Sequence, residues 1–112
     1  MQAAKKAFAE LYQTIDVLAT PTTSVFPQEI GVNEVDINGE ERDLFTETIR
    51  IGSIFNMTGQ PAISVPTGEF VEDLPVGLQF VGNHFQESNV LQAAYAYEQA
   101  YVQSFYEKRE NL

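Results

Sequence analysis

One stretch of this chain is punctuated by Gly and Pro so regularly that its folding is nearly dictated. In Phe55-Asn56-Met57-Thr58-Gly59-Gln60-Pro61-Ala62-Ile63-Ser64-Val65-Pro66-Thr67-Gly68, followed by Leu74-Pro75-Val76-Gly77-Leu78-Gln79-Phe80-Val81-Gly82, the breakers fall at boundaries and the apolar runs between them are short. Gly59 suits the left-handed residue that ends a helix, and Pro61 cannot continue one. Ala62-Ile63-Ser64-Val65 reads as a short strand stopped at Pro66, residues 67–75 as a loop, and residues 76–81 as a second strand. So short a connection predicts antiparallel pairing.

Elements on either side extend this pattern. Over residues 2–14, Ala4, Ala7, Phe8 and Leu11, continued by Ile15, recur at helical spacing and form one apolar stripe. Val17-Leu18-Ala19, stopped at Thr20-Pro21, reads as a strand buried on both faces. Residues 24–42 are predicted to be mostly an acidic loop. Within it, Val35-Asp36-Ile37 before Asn38-Gly39 permits a small hairpin. Asp43 is placed to cap a helix whose Leu44, Thr48, Ile51 and Phe55 share a face, flanked by Phe45 and Ile49. Residues 87–106 are predicted to be one long helix, with Val90, Ala94, Tyr97, Tyr101 and Phe105 on its inner side and Leu91, Tyr95 and Val102 widening that face. The order helix, strand, loop, helix, strand, strand, helix implies an α+β fold, a two-layer unit with helices packed on a small mixed sheet. At 112 residues the chain is expected to form one domain, residues 1–112.

Charge narrows the function classes. Six Lys+Arg against sixteen Asp+Glu give a formal charge of −10, which repels phosphate backbones and anionic membrane surfaces, so neither nucleic acid nor membrane is an expected partner. Acids concentrate from Glu29 to Glu47 with Arg42 as the basic residue among them, and read as a solvated surface. Residues 33–39 alternate oxygen-bearing side chains but lack the closing acid of a calcium loop. No cysteine is present, which removes disulfides, thiolate nucleophiles and Cys-based metal sites and suits a cytoplasmic location. No metal and no cofactor are expected, since zinc spacings, phosphate loops and dinucleotide turns are lacking.

Catalytic candidates are few. Ser24, Ser53, Ser64, Ser88 and Ser104 each stand alone, and His84, the one histidine, follows Asn83 in a turn where a solvated polar role competes with a base role. Lys5, Lys6 and Lys108 lack the apolar neighbours that would lower a lysine pKa. From these residues we expect no catalytic site within the chain.

Taken in order, Asp16-Val17-Leu18-Ala19-Thr20-Pro21, Arg50, Phe55-Asn56-x-x-Gly59-x-Pro61-Ala62-Ile63-Ser64-Val65-Pro66-x-Gly68 and Leu74-Pro75-Val76-Gly77-Leu78-Gln79 resemble the C-terminal portion of the amidase signature family. The resemblance implies a mixed sheet covered by helices, of which this portion supplies inner strands, and a parent that hydrolyses small carboxamides through two serines and a lysine with backbone amides as the oxyanion hole. The Gly/Ser-rich segment that carries those residues has no counterpart here. What transfers is the supporting wall, with Arg50, Asn56 and Gln79 as substrate-binding candidates. Against these roles stand a cap for Asn56, a structural hydrogen bond for Gln79 and a surface brace for Arg50.

Within the family, Ile49 stands where the catalytic chain of the glutamyl-tRNA amidotransferase has an acid, and Gly52-Ser53-Ile54 replaces its Thr-x-Pro. Those features and the Asn38-Gly39-Glu40-Glu41 insertion are more like a general amidase. The competing function class is a freestanding α+β binding or interaction module. The expected partner is a missing N-terminal catalytic portion or, without it, a second copy of this chain. The identity of the amide substrate is not legible.

Overall fold

A computed structural model describes residues 2–111. Its elements in chain order are α1 (Gln2–Leu11), β1 (Val17–Pro21), β2 (Glu34–Ile37), β3 (Glu40–Asp43), α2 (Leu44–Thr58), β4 (Ala62–Val71), β5 (Leu74–Gly82), α3 (Glu87–Tyr101) and α4 (Gln103–Glu110). β5 is the centre of a three-stranded sheet ordered β1-β5-β4, and β2 pairs with β3 apart from it. The two-layer α+β arrangement is present. Every strand pairing among the described residues is antiparallel, because each sheet neighbour runs opposite to the next.

Alternation sorts the sheet residues onto two faces. Ile63 opposite Phe80 and Val65 opposite Leu78 point toward α3, where Phe80, Val90 and Ala94 form the buried centre with Val17 and Tyr97 packed around them. Ser64 and Gln79 are also opposite one another and so lie on the other face. Val81, on that same face, is fully buried, and its carbonyl accepts the Tyr12 hydroxyl at 2.7 Å. Burial raises the Tyr12 pKa, with Gln60 working against the shift through a hydrogen bond.

Local signals explain the ends of α2. Asp43 accepts the Thr46 amide at 2.9 Å, and Gly59, at φ 79°, donates its N–H to the Phe55 carbonyl. The Thr46 amide and then its hydroxyl hold the Asp43 carboxyl below its ordinary range. A lowered pKa gives stability that is present above the unfolded-state value and lost as pH falls through the folded-state value. Asp43→Asn keeps an acceptor at the cap but removes this titration. Its melting temperature, followed against pH, is therefore expected to converge on that of the wild type below the carboxylate range.

Several elements depart from the pattern read in the sequence. β4 does not stop at Pro66 but runs to Val71, and residues 67–75 are mostly the two arms of a hairpin turning at Glu72 and Asp73, whose φ values are 53° and 63°. Proline is tolerated there because β4 is an edge strand, and an irregularity between Pro66 and Phe70 absorbs Gly68. The C-terminal helix is not continuous: Val102, fully buried at φ −109° and ψ −7°, separates α3 from α4. The break lets Phe105 stack on Phe70 with centroids 4.9 Å apart.

Leu91, Tyr95 and Tyr101 are exposed rather than part of the inner face. α1 ends at Leu11 in a tight turn rather than at Thr14 and buries none of its residues. Ala62 and Ser64 are exposed and Ala19 is exposed on β1, so neither strand is covered on both faces in this chain. Finally, the buried stripe of α2 passes through Glu47, Phe55 and Thr58, not through Thr48, which is exposed. Glu47, at 3% exposure, is thus not one of the solvated acids.

Candidate functional site

A hollow of about 350 Å³ opens where the C-terminal turn of α2 meets β4 and β5, with Asn56, Gln60 and Gln79 contributing carboxamides and Gly52, Gly59 and Ala62 leaving it open. Two of the three carboxamides are held firmly. Gln60 is buried, donates to the Gly82 carbonyl at 3.2 Å and accepts the Thr58 hydroxyl at 2.8 Å. Gln79, also buried, donates from Nε2 to Thr20 Oγ1 at 3.1 Å. Next to that contact, Thr22 and Ser64 share a 2.7 Å hydrogen bond across the sheet. Asn56 is exposed at the rim, and the cap of its helix is made by Gly59 instead.

Asn56 and Gln79 are therefore brought together, whereas Arg50 is not among the residues lining the hollow. Its side chain is 64% exposed, and its guanidinium lies 3.3 Å from the buried Glu47 carboxylate, one turn away on α2. A buried carboxylate restricts where that guanidinium can swing. Glu47 and Gln60 escaped the sequence reading. For Gln60 the signal was its place between the Gly59 cap and Pro61, where a side chain turns back on the corner. For Glu47 no signal was present, since it sits among acids that are exposed.

His84 is also assigned by geometry: its Nε2 is 2.8 Å from the Thr58 carbonyl, at the α2 terminus, so it braces the corner of the hollow. The hydroxyls of Ser24, Ser53 and Ser64 bond the Glu47 carbonyl, the Arg50 carbonyl and Thr22 respectively. Chemically, the hollow offers neutral donors and acceptors that could orient a polar, uncharged group. The described residues contain no group of three or more His, Asp or Glu side chains placed to hold a metal ion.

Solved structures that share this fold include amidases. A bacterial aryl acylamidase of the amidase signature enzymes superposes with a TM-score of 0.77 at 27% identity, over 94% of this chain and 22% of that one. A 6-aminohexanoate cyclic dimer hydrolase gives 0.75 at 29% identity over 89% and 22%. The glutamyl-tRNA(Gln) amidotransferase A subunit from Thermotoga maritima gives 0.69 at 32% identity over 86% and 20%.

The amidase family model matches residues 1–91, and the chain belongs to that family. Among curated proteins, glutamyl-tRNA(Gln) amidotransferase A subunits are similar: 38% identity over 95 residues in Alkaliphilus metalliredigens and 41% over 97 residues in Geobacillus stearothermophilus, covering 85% and 86% of this chain. The chain spans 18–19% of the length of these relatives. Among the described residues, no helix is long and apolar enough to cross a membrane.

Proposed function

We propose that these residues form the C-terminal segment of a longer amidase, in which they wall one side of the substrate site while the catalytic serines and lysine come from an upstream portion. The observation that carries this reading is surface. The chain exposes 7771 Å², where a compact monomer of this mass exposes about 6,200 Å². Its radius of gyration is 15.8 Å against about 13 Å for a compact chain of this length. Phe26, Phe45, Ile49 and Met57 are all more than 40% exposed on the loop and helix flanking the sheet, an arrangement suited to burial against further polypeptide.

In this reading the hydrolase is cytoplasmic, acts on a small carboxamide and needs no cofactor. Asn56 and Gln79 contact the substrate through the hollow, and Arg50 lies at its periphery. A general amidase is our preferred parent, supported by the higher TM-scores of the aryl acylamidase and the cyclic dimer hydrolase. The catalytic chain of an amidotransferase is the second reading, favoured by the 38–41% identity to such proteins.

The test is a chimera in which these residues replace the matching segment of an active homologous amidase. The chimera should release ammonia from simple carboxamides. Asn56→Ala or Gln79→Ala should lower kcat/KM about tenfold or more, the loss of one substrate hydrogen bond. A fully active Gln79→Ala chimera would reduce that residue to a strut. The chain alone should show no turnover, and light scattering at rising concentration should show self-association. A monomer at all concentrations would instead favour the freestanding module.

A further inference from the structure

Gln60 and Gln79 both line the hollow with buried carboxamides, but the protein uses up only one of them. Gln60 donates to the Gly82 carbonyl at 3.2 Å and accepts the Thr58 hydroxyl at 2.8 Å, so both of its ends are engaged. Gln79 is engaged at its nitrogen, through the 3.1 Å bond to Thr20 Oγ1. We propose that Gln79 Oε1 is a fixed acceptor that reads an N–H on the ligand, and that Thr20 is the positioning residue that fixes it. The hollow then prefers a carboxamide N–H to the matching ester oxygen. The inference rests on the reading of this hollow as a substrate wall and deepens it, by naming which protein atom meets which side of the ligand.

A carboxamide can be turned end for end, so its direction is dictated by its partner. A hydroxyl has one proton, and that of Thr20 goes to the Pro21 carbonyl at 3.0 Å. Toward Gln79 the same oxygen can only accept. That requires Nε2 on the Thr20 side and sends Oε1 away from it. The hydroxyls of Thr22 and Ser64 bond to each other at 2.7 Å rather than to Gln79. Among the described residues no fully buried side-chain nitrogen or oxygen is left without a partner. Gln79 Oε1, which accepts no protein donor among them, therefore still reaches open space, and the hollow is the space that Gln79 lines.

An acceptor held in place favours a ligand with a donor at that point. It penalises one that brings a second acceptor, since two oxygens facing each other are both left unpaired. Among the described residues no Lys, Arg, Asp, Glu or His lines the hollow, so a neutral group is matched. Asn56, exposed at the rim, can turn its NH2 toward the carbonyl of the same ligand. The pair thus suits the N–H and C=O of one carboxamide. Gly52 leaves room for it: although inside α2, nothing lies within 4 Å of where its Cβ would stand.

The test is an NMR titration of the isotopically labelled full chain with N-methylbenzamide and, separately, with methyl benzoate, which differ by an N–H against an oxygen. Binding is followed through the side-chain amides of Asn56 and Gln79. N-methylbenzamide should bind about tenfold more tightly, the penalty for leaving a buried acceptor unpaired. Thr20→Val keeps the branched shape that a strand favours but frees the Gln79 amide to turn over, and should reduce that ratio to about twofold or less. Thr20→Ser should restore it. A residue that only supported the fold would weaken both ligands together and leave the ratio unchanged. Gly52→Leu puts a good helix former where there is room for a Cβ, and should stay folded by circular dichroism while losing both ligands. Should Thr20→Val prove unfolded, Gln79→Leu, which removes the acceptor outright, reads the same ratio.

Equal affinity for the two ligands, binding of neither, a ratio that survives Thr20→Val (or Gln79→Leu), or binding that survives Gly52→Leu would each overturn the proposal. Turnover plays no part, so failure here leaves the amidase reading standing. An inactive chimera beside a preserved amide preference would refute the parent activity and not the acceptor.

Discussion

Replacing Gly68 with alanine is expected to cost about 4 kcal/mol of folding stability, enough to unfold much of the population of a marginally stable chain. Two separate effects add. Gly68 sits at φ 97°, a region L-residues rarely adopt, which costs an alanine roughly 1–3 kcal/mol. Its new Cβ would also lie 2.5 Å from the Tyr101 carbonyl oxygen. That oxygen belongs to a backbone pinned where α3 gives way to the fully buried Val102, so it cannot retreat, and such overpacking costs about 1–3 kcal/mol. Gly39 supplies the control. Its φ is 86°, but nothing lies within 4 Å of the place a methyl group would take, so Gly39→Ala should show only the backbone effect. Urea denaturation of the two variants separates strain from collision. Equal losses would mean that the Tyr101 carbonyl moves aside and that the α3–α4 break is soft.

The same corner marks the limit of what the sequence discloses. The caps of α2 at Asp43 and Gly59, the Asn38-Gly39 hairpin and β5 are local events, driven by one or two residues whose preferences suffice, and these were legible. The break at Val102 is not local. Nothing in residues 99–105 forbids a helix; the chain bends because Phe105 reaches Phe70 on a strand more than thirty positions earlier. The turn at Glu72-Asp73 escaped notice for a related reason. Its positive φ values are imposed on non-glycine residues by the pairing of Val71 with Leu74, not by turn chemistry.

The site shows the same division. Asn56 and Gln79 could be picked out by type and motif and do line one hollow, but the burial of Glu47 depends on which way α2 rotates against the loop at Ser24. Strands that look doubly buried from their composition are covered on one side here. In the proposed reading, that mismatch between apolar sequence and exposed surface reflects packing against further polypeptide, which no local pattern encodes.

Phe80→Ala is expected to lower stability by about 4 kcal/mol, in the middle of the range for truncating a buried aromatic. Phe80 sits at the centre of the face covered by α3, against Val90 and Ala94 and edge-on to Tyr97 at 5.9 Å. On that face its neighbours are the side chains of α3 and of the flanking strands, which are themselves held in place, so few contacts can close over the cavity. Tyr95→Ala on the same helix removes a ring that is 65% exposed, and should change stability by no more than about 0.5 kcal/mol.

The two are best compared by chemical denaturation in the isolated chain and again in the amidase chimera. If further polypeptide covers the opposite face of the sheet, the chimera supplies contacts that the isolated chain lacks, and Phe80→Ala becomes survivable there while it unfolds the chain alone. Equal unfolding in both settings would mean that further polypeptide meeting the opposite face, where Ala62 and Ser64 are exposed, adds no support to this sheet.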